Sequence, residues 1–220
     1  MTKVDPRISV IITAHNEERF IGRCLRSIIN QTLLNVDYEV IVVNDASTDK
    51  TAYALAIFGD SIKVIQNDTN LGLPSCINLG VNYAKGHYIV RLDADDYVNV
   101  NYLNFLSCFL DWNEEYDAVA CDYLLVDDNE RVLGKFDARQ KPIGCGVMFS
   151  REHLLEIGLY DESFLVHEDR DLKLRFEKVY KTGHLNLPLY RYRKHEGNMT
   201  NDDDLMRLHD SRLQLKHKHG

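Results

Sequence analysis

Short apolar runs alternate with stretches of helical periodicity through the first half of the chain. Two runs, 8–12 and 38–43, are nearly all apolar and rich in β-branched residues, which predicts strands covered on both faces. Two further strands are predicted over 62–65 and 87–92. Helices are predicted between them, one starting at Asn16, with Glu17 and Glu18 in its first turn, and others over 49–58 and 74–85. This alternation predicts an α/β fold with helices on both faces of a mostly parallel sheet.

After about residue 115, the alternation of apolar runs and helical periodicity becomes less regular. Two strands are predicted over 118–126 and 131–136, on either side of the polar turn at 127–129. Two helices are predicted over 151–157 and 169–178. No internal repeat or low-complexity linker interrupts the chain, so we expect one domain over 1–220 whose two halves share a sheet.

Composition limits the functional classes. The net charge of −8, from 26 basic and 34 acidic residues, argues against a general nucleic-acid binder. The five cysteines include no CxxC pair, which is typical of reduced thiols in a cytosolic protein. Because the sequence has no signal-peptide pattern and no transmembrane segment of about 18 apolar residues, we expect a cytoplasmic protein. Peripheral contact with a membrane stays compatible with this expectation, and the oligomeric state stays open.

Polar residues follow three of the predicted strands. In open α/β sheets, ligands bind beyond the carboxyl ends of the strands, so these residues are expected to meet in one crevice. They are Thr13, His15, Glu17, Asp45, Asp93, Ala94, Asp95 and Asp96.

The segment 93–96 is the sharpest chemical feature, because its three carboxylates repel one another unless a cation lies between them. Mg²⁺ and Mn²⁺ prefer oxygen ligands and commonly bind one or two carboxylates together with substrate phosphates. A solvated acidic turn is the alternative, and the spacing leaves open whether Asp95 or Asp96 is the main ligand. Asp45 is suited to accept from a nucleobase N–H or to form an Asx turn. His15 is either a stacking ring or a solvated loop residue.

Two familiar phosphate-binding signatures are missing. The chain has no GxxxxGK[ST] segment, which excludes a P-loop, and no GxGxxG after its first strand, which argues against a dinucleotide site. Phosphates of a bound ligand would therefore be held by a metal ion.

Six blocks of the sequence resemble, in order, those of the family 2 glycosyltransferases of the GT-A fold. The blocks are ISVIITAHNEERFIGRCLRSIINQT, YEVIVVNDASTDKT, NDTNLGLPSCINLGVNYAKGHYIVRLDADD, GCGVMFSREHLLEIGLYDESF, HEDRDLKLRF and YRYRKHEGNMT. The resemblance implies a nucleotide-binding half over about 1–115 and an acceptor half with a C-terminal helix over about 116–220. It also implies a nucleotide diphosphate sugar as donor, expected to be UDP-linked, and Mn²⁺ or Mg²⁺ as cofactor.

The same resemblance implies roles for individual residues. Asp169 matches the catalytic base, Asp93 and Asp95 match the DxD pair that holds metal and donor, and His195 matches a position that reaches the metal or diphosphate in some members. Gly144 and Gly146 match a small-residue stretch near the donor sugar. The remaining donor-binding positions that the resemblance implies are Thr13, His15, Glu17, Asp45, Asn78 and Ala94.

Two departures from the family matter. Thr13 and His15 stand where members often have Pro and Tyr, so base stacking is expected to differ. The QxxRW block of polymerising members is missing, which favours addition of a single sugar. The expected function is inverting transfer to an acceptor hydroxyl of a sugar, lipid-linked molecule or glycoconjugate, as in bacterial-type polysaccharide or glycoconjugate synthesis.

Alternatives stay open. A carboxylate such as Asp169 also suits the first turn of a helix. Glu168 is the neighbouring candidate for a base. The competing functions are a non-catalytic nucleotide-sugar binder and a sugar nucleotidylyltransferase, although the loop at 13–17 lacks the Gly-rich basic pattern that the latter needs. The segment 216–219 is expected to be a solvated tail.

Overall fold

One sheet of nine strands runs through this computed structural model, which describes residues 5–33, 37–198 and 203–218. The strands are β1 (Ile8–Ala14), β2 (Tyr38–Asp45), β3 (Lys63–Asn67), β4 (Tyr88–Asp93), β5 (Tyr97–Val98), β6 (Ala118–Val126), β7 (Val132–Phe136), β8 (Val147–Ser150) and β9 (Thr182–Arg193). Their order is β3-β2-β1-β4-β8-β6-β9-β5, with β7 paired to β6. The first four strands in this order are mutually parallel, and β8 joins β4 antiparallel. The predicted α/β fold class is confirmed.

Seven α-helices and one short 3-10 segment, Gly59–Ser61, accompany the sheet in the described ranges. The helices are α1 (Ile21–Ile29), α2 (Thr51–Ala56), α3 (Leu73–Tyr83), α4 (Tyr102–Trp112), α5 (Arg151–Glu156), α6 (Glu168–Phe176) and α7 (Asp203–His217). Among these residues no helix combines the length and apolarity needed to cross a membrane.

The central strands are buried on both faces, as their unbroken apolar runs predicted. All eight residues of β2 are buried, and side chains of β1 alternate between two packed layers. Ile8, Val10 and Ile12 belong to the layer that includes residues of α1 and α4, while Ile11 packs in the layer with α3. Gly80 lets α3 approach closely, since a Cβ there would lie 2.5 Å from Ile11 Cγ2. This packing fixes the carboxyl ends of β1, β2 and β4 side by side.

The predicted helix start at Asn16 is wrong. Asn16 has a φ of 57°, a left-handed conformation that Asn tolerates better than most residues, and α1 begins only at Ile21. A turn precedes the helix, in which the Ile21 N–H donates to the Glu17 carbonyl over 3.0 Å. The Asn16 Oδ1 instead accepts from the backbone N–H of Thr48 at 2.8 Å. Asn16 therefore ties the loop after β1 to the loop after β2.

The pattern did not predict four elements: β5 and α4, which follow β4, and β8 and β9 in the second half. Strand β9 runs parallel to β6 with register shifts around Asp122, so no clean alternation marks it. The α4 segment does carry buried residues at helical spacing, at Tyr102, Leu103, Leu106 and Leu110, which is a signal that could have been used.

The expectation of a solvated tail at 216–219 is wrong for its first two residues. Lys216 Nζ lies 2.6 Å from Asp171 Oδ1, and His217 Nε2 lies 2.9 Å from the same oxygen. Asp171 is fully buried in α6, and a buried carboxylate needs such partners. Residues 219 and 220 lie outside the described ranges, so the expectation for His219 is untested.

Candidate active site

A crevice of about 830 Å³ opens at the carboxyl ends of β1, β2 and β4. The polar residues that follow these strands meet there, as predicted from their position in a parallel sheet. Eight of the ten residues predicted to bind donor or metal or to act as base line it: Thr13, His15, Glu17, Asp45, Asp93, Ala94, Asp95 and Asp169.

Asp45, at the end of β2, is a buried acceptor for one loop. Its Oδ1 accepts from Asn67 Nδ2 at 2.8 Å and from the Leu71 N–H at 2.9 Å, and its Oδ2 accepts from the Gly72 N–H at 2.9 Å. Burial acts to raise the pKa of Asp45, but these hydrogen bonds outweigh it and lower the pKa below its usual value. A hydrogen bond from the Cys76 thiol also acts to lower the pKa of Asp45, so a ligand N–H would join several protein donors on this carboxylate.

Gly72 is required where the Asp45 carboxylate holds the loop. Its φ of 83° and ψ of 163° lie in a region that is essentially restricted to glycine. Its N–H is directed at Asp45 by this conformation, just before α3 begins at Leu73. The Asp45–Gly72 contact therefore shapes the crevice wall that faces β2.

His15 is held in one tautomer by its neighbours. Its Nδ1 lies 2.6 Å from the Asp45 carbonyl oxygen, which can only accept, so Nδ1 carries the hydrogen. The Nε2, 3.1 Å from Asn16 Nδ2, then accepts from that amide. The exposed ring forms part of the crevice wall beside Thr13, which pairs with Asp93 in the β1–β4 register.

The pKa of Glu17 is affected by the carboxylates of the crevice as well as by burial. Burial and the nearby Asp95 carboxylate raise its pKa to about 7, although His195 partly opposes this. Carboxylates are therefore concentrated on this wall beyond what the cations facing it balance.

Asp93 is paired to a buried arginine. Arg91 donates to it through Nε at 2.6 Å and through Nη2 at 3.1 Å, and its Nη1 donates to Glu168 Oε1 at 2.8 Å. Burial and Asp169 raise the pKa of Glu168, while Arg91 acts to lower it. Arg91 therefore connects the end of β4 to the first residue of α6.

Asp95 is paired to the histidine predicted as a metal ligand. His195 Nε2 lies 2.9 Å from Asp95 Oδ2, and Asn198 Nδ2 donates to the same oxygen at 3.3 Å. The hydrogen bond to Asp95 raises the pKa of His195 against a smaller effect of burial. His195 thus reaches the crevice through Asp95, and Oδ1 of Asp95 makes no hydrogen bond with the described part of the chain.

Asp96 has a structural role. It is 1% exposed, and its carboxylate accepts from the Tyr190 hydroxyl at 2.7 Å and from the Arg193 N–H at 2.6 Å. Arg193 Nε also donates to the Asp95 carbonyl at 2.8 Å, which fixes the turn after β4. Asp95 lines the crevice and Asp96 does not, while the choice of Asp95 as the main metal ligand stays a prediction.

At the crevice, two carboxylate groupings among the described residues are candidates for a divalent cation. Asp93, Asp96 and Cys145 have ligand atoms within 4.8 Å of one another. That grouping fits poorly, because protein donors occupy both Asp96 oxygens and burial raises the pKa of the Cys145 thiol far above its usual value. Asp95 fits better, because it faces the crevice with one oxygen unpaired among the described residues. Asp93 can join it only by sharing oxygens with Arg91.

Asp169 lies in the first turn of α6 and lines the crevice. Its carboxylate is half-buried and accepts no hydrogen bond from the residues that the structure describes. It packs against Gly144, where an added Cβ would lie 2.7 Å from the Asp169 Cβ. The preceding His167 has a φ of 64° and lies 3.2 Å, through Nε2, from the Met206 carbonyl of α7. Because the Asp169 carboxylate accepts no hydrogen bond from the described residues, it is available to accept a proton.

Asn78 is placed differently from the prediction. Its Nδ2 donates to the Tyr160 carbonyl at 2.9 Å and to Glu162 Oε1 at 3.0 Å, and its Oδ1 accepts from the Tyr160 N–H at 3.0 Å. It is 8% exposed and is not among the described residues that line the crevice. Asn78 joins α3 to the loop before α6 and so supports the site from behind.

The sequence profile described as Glycosyl transferase family 2 matches residues 9–158, more than half of the chain. The chain belongs to glycosyl transferase family 2. An uncharacterized glycosyltransferase of Rickettsia typhi is 29% identical over 214 residues, which cover 89% of this chain and 66% of that protein. This alignment extends beyond residues 9–158 and includes the second half of the chain. The chain spans just under two thirds of the length of this relative.

Solved glycosyltransferases share the fold. S. aureus TarS in complex with UDP-GlcNAc superposes with a TM-score of 0.74 at 23% identity, covering 92% of this chain and 65% of that one. The mannosyltransferase PcManGT from Pyrobaculum calidifontis, in complex with GDP-Man and Mn²⁺, gives 0.78 at 17% identity, covering 99% and 65%. At these identities the likeness shows the fold alone, and it confirms the GT-A expectation.

Three residues of the site were missed from the sequence: Arg91, Arg193 and Asn198. The position of Arg91 could have indicated a role, because it is a charged residue inside an otherwise apolar central strand. An unpaired charge is costly there, so a partner is expected. Arg193 and Asn198 flank His195 in the same block, but nothing local shows that the block folds back onto the turn after β4. The pairing of β5 with β9 brings it there.

Proposed function

We propose that the chain catalyses inverting transfer of a single sugar from a nucleotide diphosphate sugar to an acceptor hydroxyl. One observation carries this proposal: a single crevice holds the carboxylates of Asp93 and Asp95 together with the Asp169 carboxylate, which accepts no hydrogen bond from the described residues. The first pair suits the donor diphosphate, and the third suits a proton acceptor.

The nucleoside would lie along the loops after β1 and β2. The Asp45 carboxylate lines the crevice and would accept from a base N–H beside its protein donors, and the exposed ring of His15 offers a face for stacking. Thr13, Glu17 and Ala94 complete this part of the wall. We expect UDP as the nucleotide, with GDP as the tested alternative.

A divalent cation, Mn²⁺ or Mg²⁺, would be held by Asp95 and Asp93, with His195 orienting Asp95 through its 2.9 Å contact. When bound, such an ion supplies Lewis-acid stabilisation of the charge that develops on the leaving diphosphate. Glu17, Asp93 and Asp95 all line this part of the crevice, and a cation there would offset the repulsion among their carboxylates.

Asp169 would accept the proton of the acceptor hydroxyl. The acceptor oxygen forms a bond to the anomeric carbon while the bond from that carbon to the diphosphate oxygen breaks, and the nucleoside diphosphate leaves. Because attack and departure occur on opposite faces in one step, the anomeric configuration inverts. Glu168 is less suited to this role, since it is 5% exposed and already accepts from Arg91.

The acceptor belongs to a polysaccharide, a lipid-linked molecule or another glycoconjugate in this proposal, and the reaction takes place in the cytoplasm or at a membrane surface facing it. The first statement rests on the family and on the single-addition pattern of the sequence, and the second on cysteines without a CxxC pair, which are typical of reduced thiols.

The test is a panel of UDP- and GDP-linked sugars, incubated with the full chain and Mn²⁺ or EDTA while nucleoside diphosphate release is followed. We expect slow release from at least one donor into water with Mn²⁺, and none with EDTA. Binding of donors without release, also in the presence of sugar acceptors, would contradict the proposal and indicate a non-catalytic nucleotide-sugar binder. Release of inorganic pyrophosphate from a nucleoside triphosphate and a sugar phosphate would indicate a nucleotidylyltransferase.

A further inference from the structure

A second, smaller cavity of about 70 Å³ lies behind Asp169. We call it the apolar slot, and the side chains that define it are Ala120, Ala138, Val147, Phe149, Phe176 and Thr182. Pro142, Ile143, Gly144, Cys145, Asp169 and Arg170 line both the slot and the large crevice, so the two spaces adjoin at the proposed base.

Small side chains keep the slot open. Ala120 on β6 and Ala138 after β7 leave space that larger residues would fill, and Gly144 and Gly146 add no side chain. Protein interiors are otherwise close-packed, so an apolar space of this kind lowers stability unless a ligand occupies it. Dry apolar cavities do bind small apolar molecules.

Charges near the slot are already matched. Arg170 Nη1 lies 2.7 Å from Asp210 Oδ1, and Lys173 Nζ lies 3.8 Å from Glu177 Oε1. Asp169 is the remaining carboxylate that lines it, and that residue also lines the crevice. The slot thus offers apolar contact directly beside the group that would take the acceptor proton.

From this arrangement we infer that the acceptor carries a short apolar substituent close to the attacked hydroxyl, and that the slot binds this substituent. This inference rests on the proposed function, because it assumes that the hydroxyl meets Asp169. The small volume selects a group of a few carbon atoms rather than a long lipid chain. The reaction itself is unchanged: the acceptor oxygen replaces the diphosphate oxygen on the anomeric carbon, and Asp169 takes the proton.

Simple alcohols test the slot without knowledge of the natural acceptor. Nucleotide release from the best donor is measured with Mn²⁺ in ethanol, propanol, butanol and octanol at low concentrations. Each methylene that enters the slot should lower the KM for the alcohol about fourfold, from ethanol to butanol, with no further gain at octanol. Release into water alone, measured in parallel, reports on the proposed function separately.

Variants of Val147 locate the effect. Val147 is half-buried on β8 and lines the slot but not the crevice. Val147→Phe should abolish the dependence on chain length by filling the space, and Val147→Thr should weaken it while nearly keeping the shape. Val132→Phe, at a position on β7 that is 59% exposed, is the matched control and should behave as the wild type.

Binding is measured as well, by NMR titration of the full chain with butanol and ethanol in the presence of UDP and Mn²⁺. In the wild type, we expect butanol to bind more tightly than ethanol. In Val147→Phe, the two alcohols should bind equally. Should the Phe variant not fold, Val147→Thr should show a reduced difference between them. Equal binding of both alcohols to the wild type would overturn the inference, whether or not the donor panel shows turnover. If nucleotide is released into water but the KM does not fall for longer alcohols, the inference about the slot is overturned and the proposed function stays intact.

Discussion

Arg91 Nη1 donates to Glu168 Oε1 at 2.8 Å, and both side chains are buried. The same guanidinium holds Asp93 through its other two nitrogens. The donor-side carboxylate at the end of β4 and the helix that carries Asp169 are therefore joined by one residue. This link explains how two groups that are far apart in the sequence keep a fixed relation across the crevice.

Removing Arg91 should cost substantial stability. Arg91→Met leaves Glu168 and Asp93 without their partner, so we expect the free energy of unfolding in urea to fall by about 3–5 kcal/mol. Arg91→Lys should lose less, because it keeps the charge but not the forked geometry. Arg7→Met is the control: Arg7 pairs with Asp111 where both side chains are over a third exposed, and the loss should stay below about 1 kcal/mol. Equal losses at Arg91 and Arg7 would contradict the bridging role.

Donor binding should depend on a divalent cation through Asp95. UDP should raise the Tm more with Mn²⁺ than with EDTA, because a ligand that binds only the native state stabilises it. Asp95→Asn should remove this metal-dependent part. Asp128→Asn changes another partly exposed carboxylate, one that pairs with Arg19, and should keep it. An unchanged metal dependence in Asp95→Asn would rule out Asp95 as a ligand.

Asp45 should contribute to stability, through the loop at 67–72, as well as to nucleotide binding. Asp45→Ala removes the acceptor of three protein donors, and each unpaired donor costs about 1–3 kcal/mol, so both stability and UDP affinity should fall. Asp45→Asn can still accept through one oxygen, so it should keep more stability while weakening UDP binding by up to about 3 kcal/mol. Calorimetric titration with UDP and urea unfolding separate the two effects. Unaltered UDP affinity in both variants would reduce Asp45 to a loop residue.

The first four strands could be predicted because each is marked by a local apolar run. Runs such as that of β2 are buried on both faces, and their ends lie at one edge of the sheet, so Asp45 and Asp93 could be placed in one crevice from the order of elements alone. Asp95 and Asp169 also came together with them, but the role of Asp169 came from the resemblance to a family and stays a prediction.

The rest depends on contacts between distant segments. Nothing near Asn16 shows that its side chain bonds to the loop at Thr48, so a good capping residue was taken for a helix start. The sequence leaves Asp95 and Asp96 as alternative ligands, and only the contact with β9 shows that Tyr190 and Arg193 donate to both Asp96 oxygens. Likewise, Lys216 looks solvated until α7 packs on Asp171. Long-range pairing decided each of these cases.

The packing of α7 should make stability sensitive to acid. Burial acts to raise the pKa of Asp171, but hydrogen bonds from Lys216, His217 and Arg175 outweigh it and hold the pKa below the usual 3.8. A depressed folded-state pKa contributes stability that is present above about pH 3.8 and is lost as the pH falls through the folded-state value. Asp171→Asn should therefore unfold about 3 kcal/mol more easily than the wild type at pH 5, with a gap that narrows towards pH 2.

The control for this acid effect is Asp204→Asn, because the Asp204 side chain is 98% exposed. Its unfolding free energy should follow that of the wild type at every pH. If the Asp171→Asn gap did not change between pH 5 and pH 2, the carboxylate would not contribute to stability through its charge.

The central claim, that Asp169 is the base, is tested most directly by Asp169→Asn in a transfer assay with the best donor of the panel. The amide keeps the size of the side chain beside Gly144 but cannot accept a proton, so turnover should fall by about 10²–10⁴-fold. The affinity for UDP and Mn²⁺, measured by calorimetry, should stay within about twofold, because Asp95 and Asp45 are unchanged. Loss of UDP binding with full turnover per bound donor would contradict the account and make Asp169 a donor-side or structural residue.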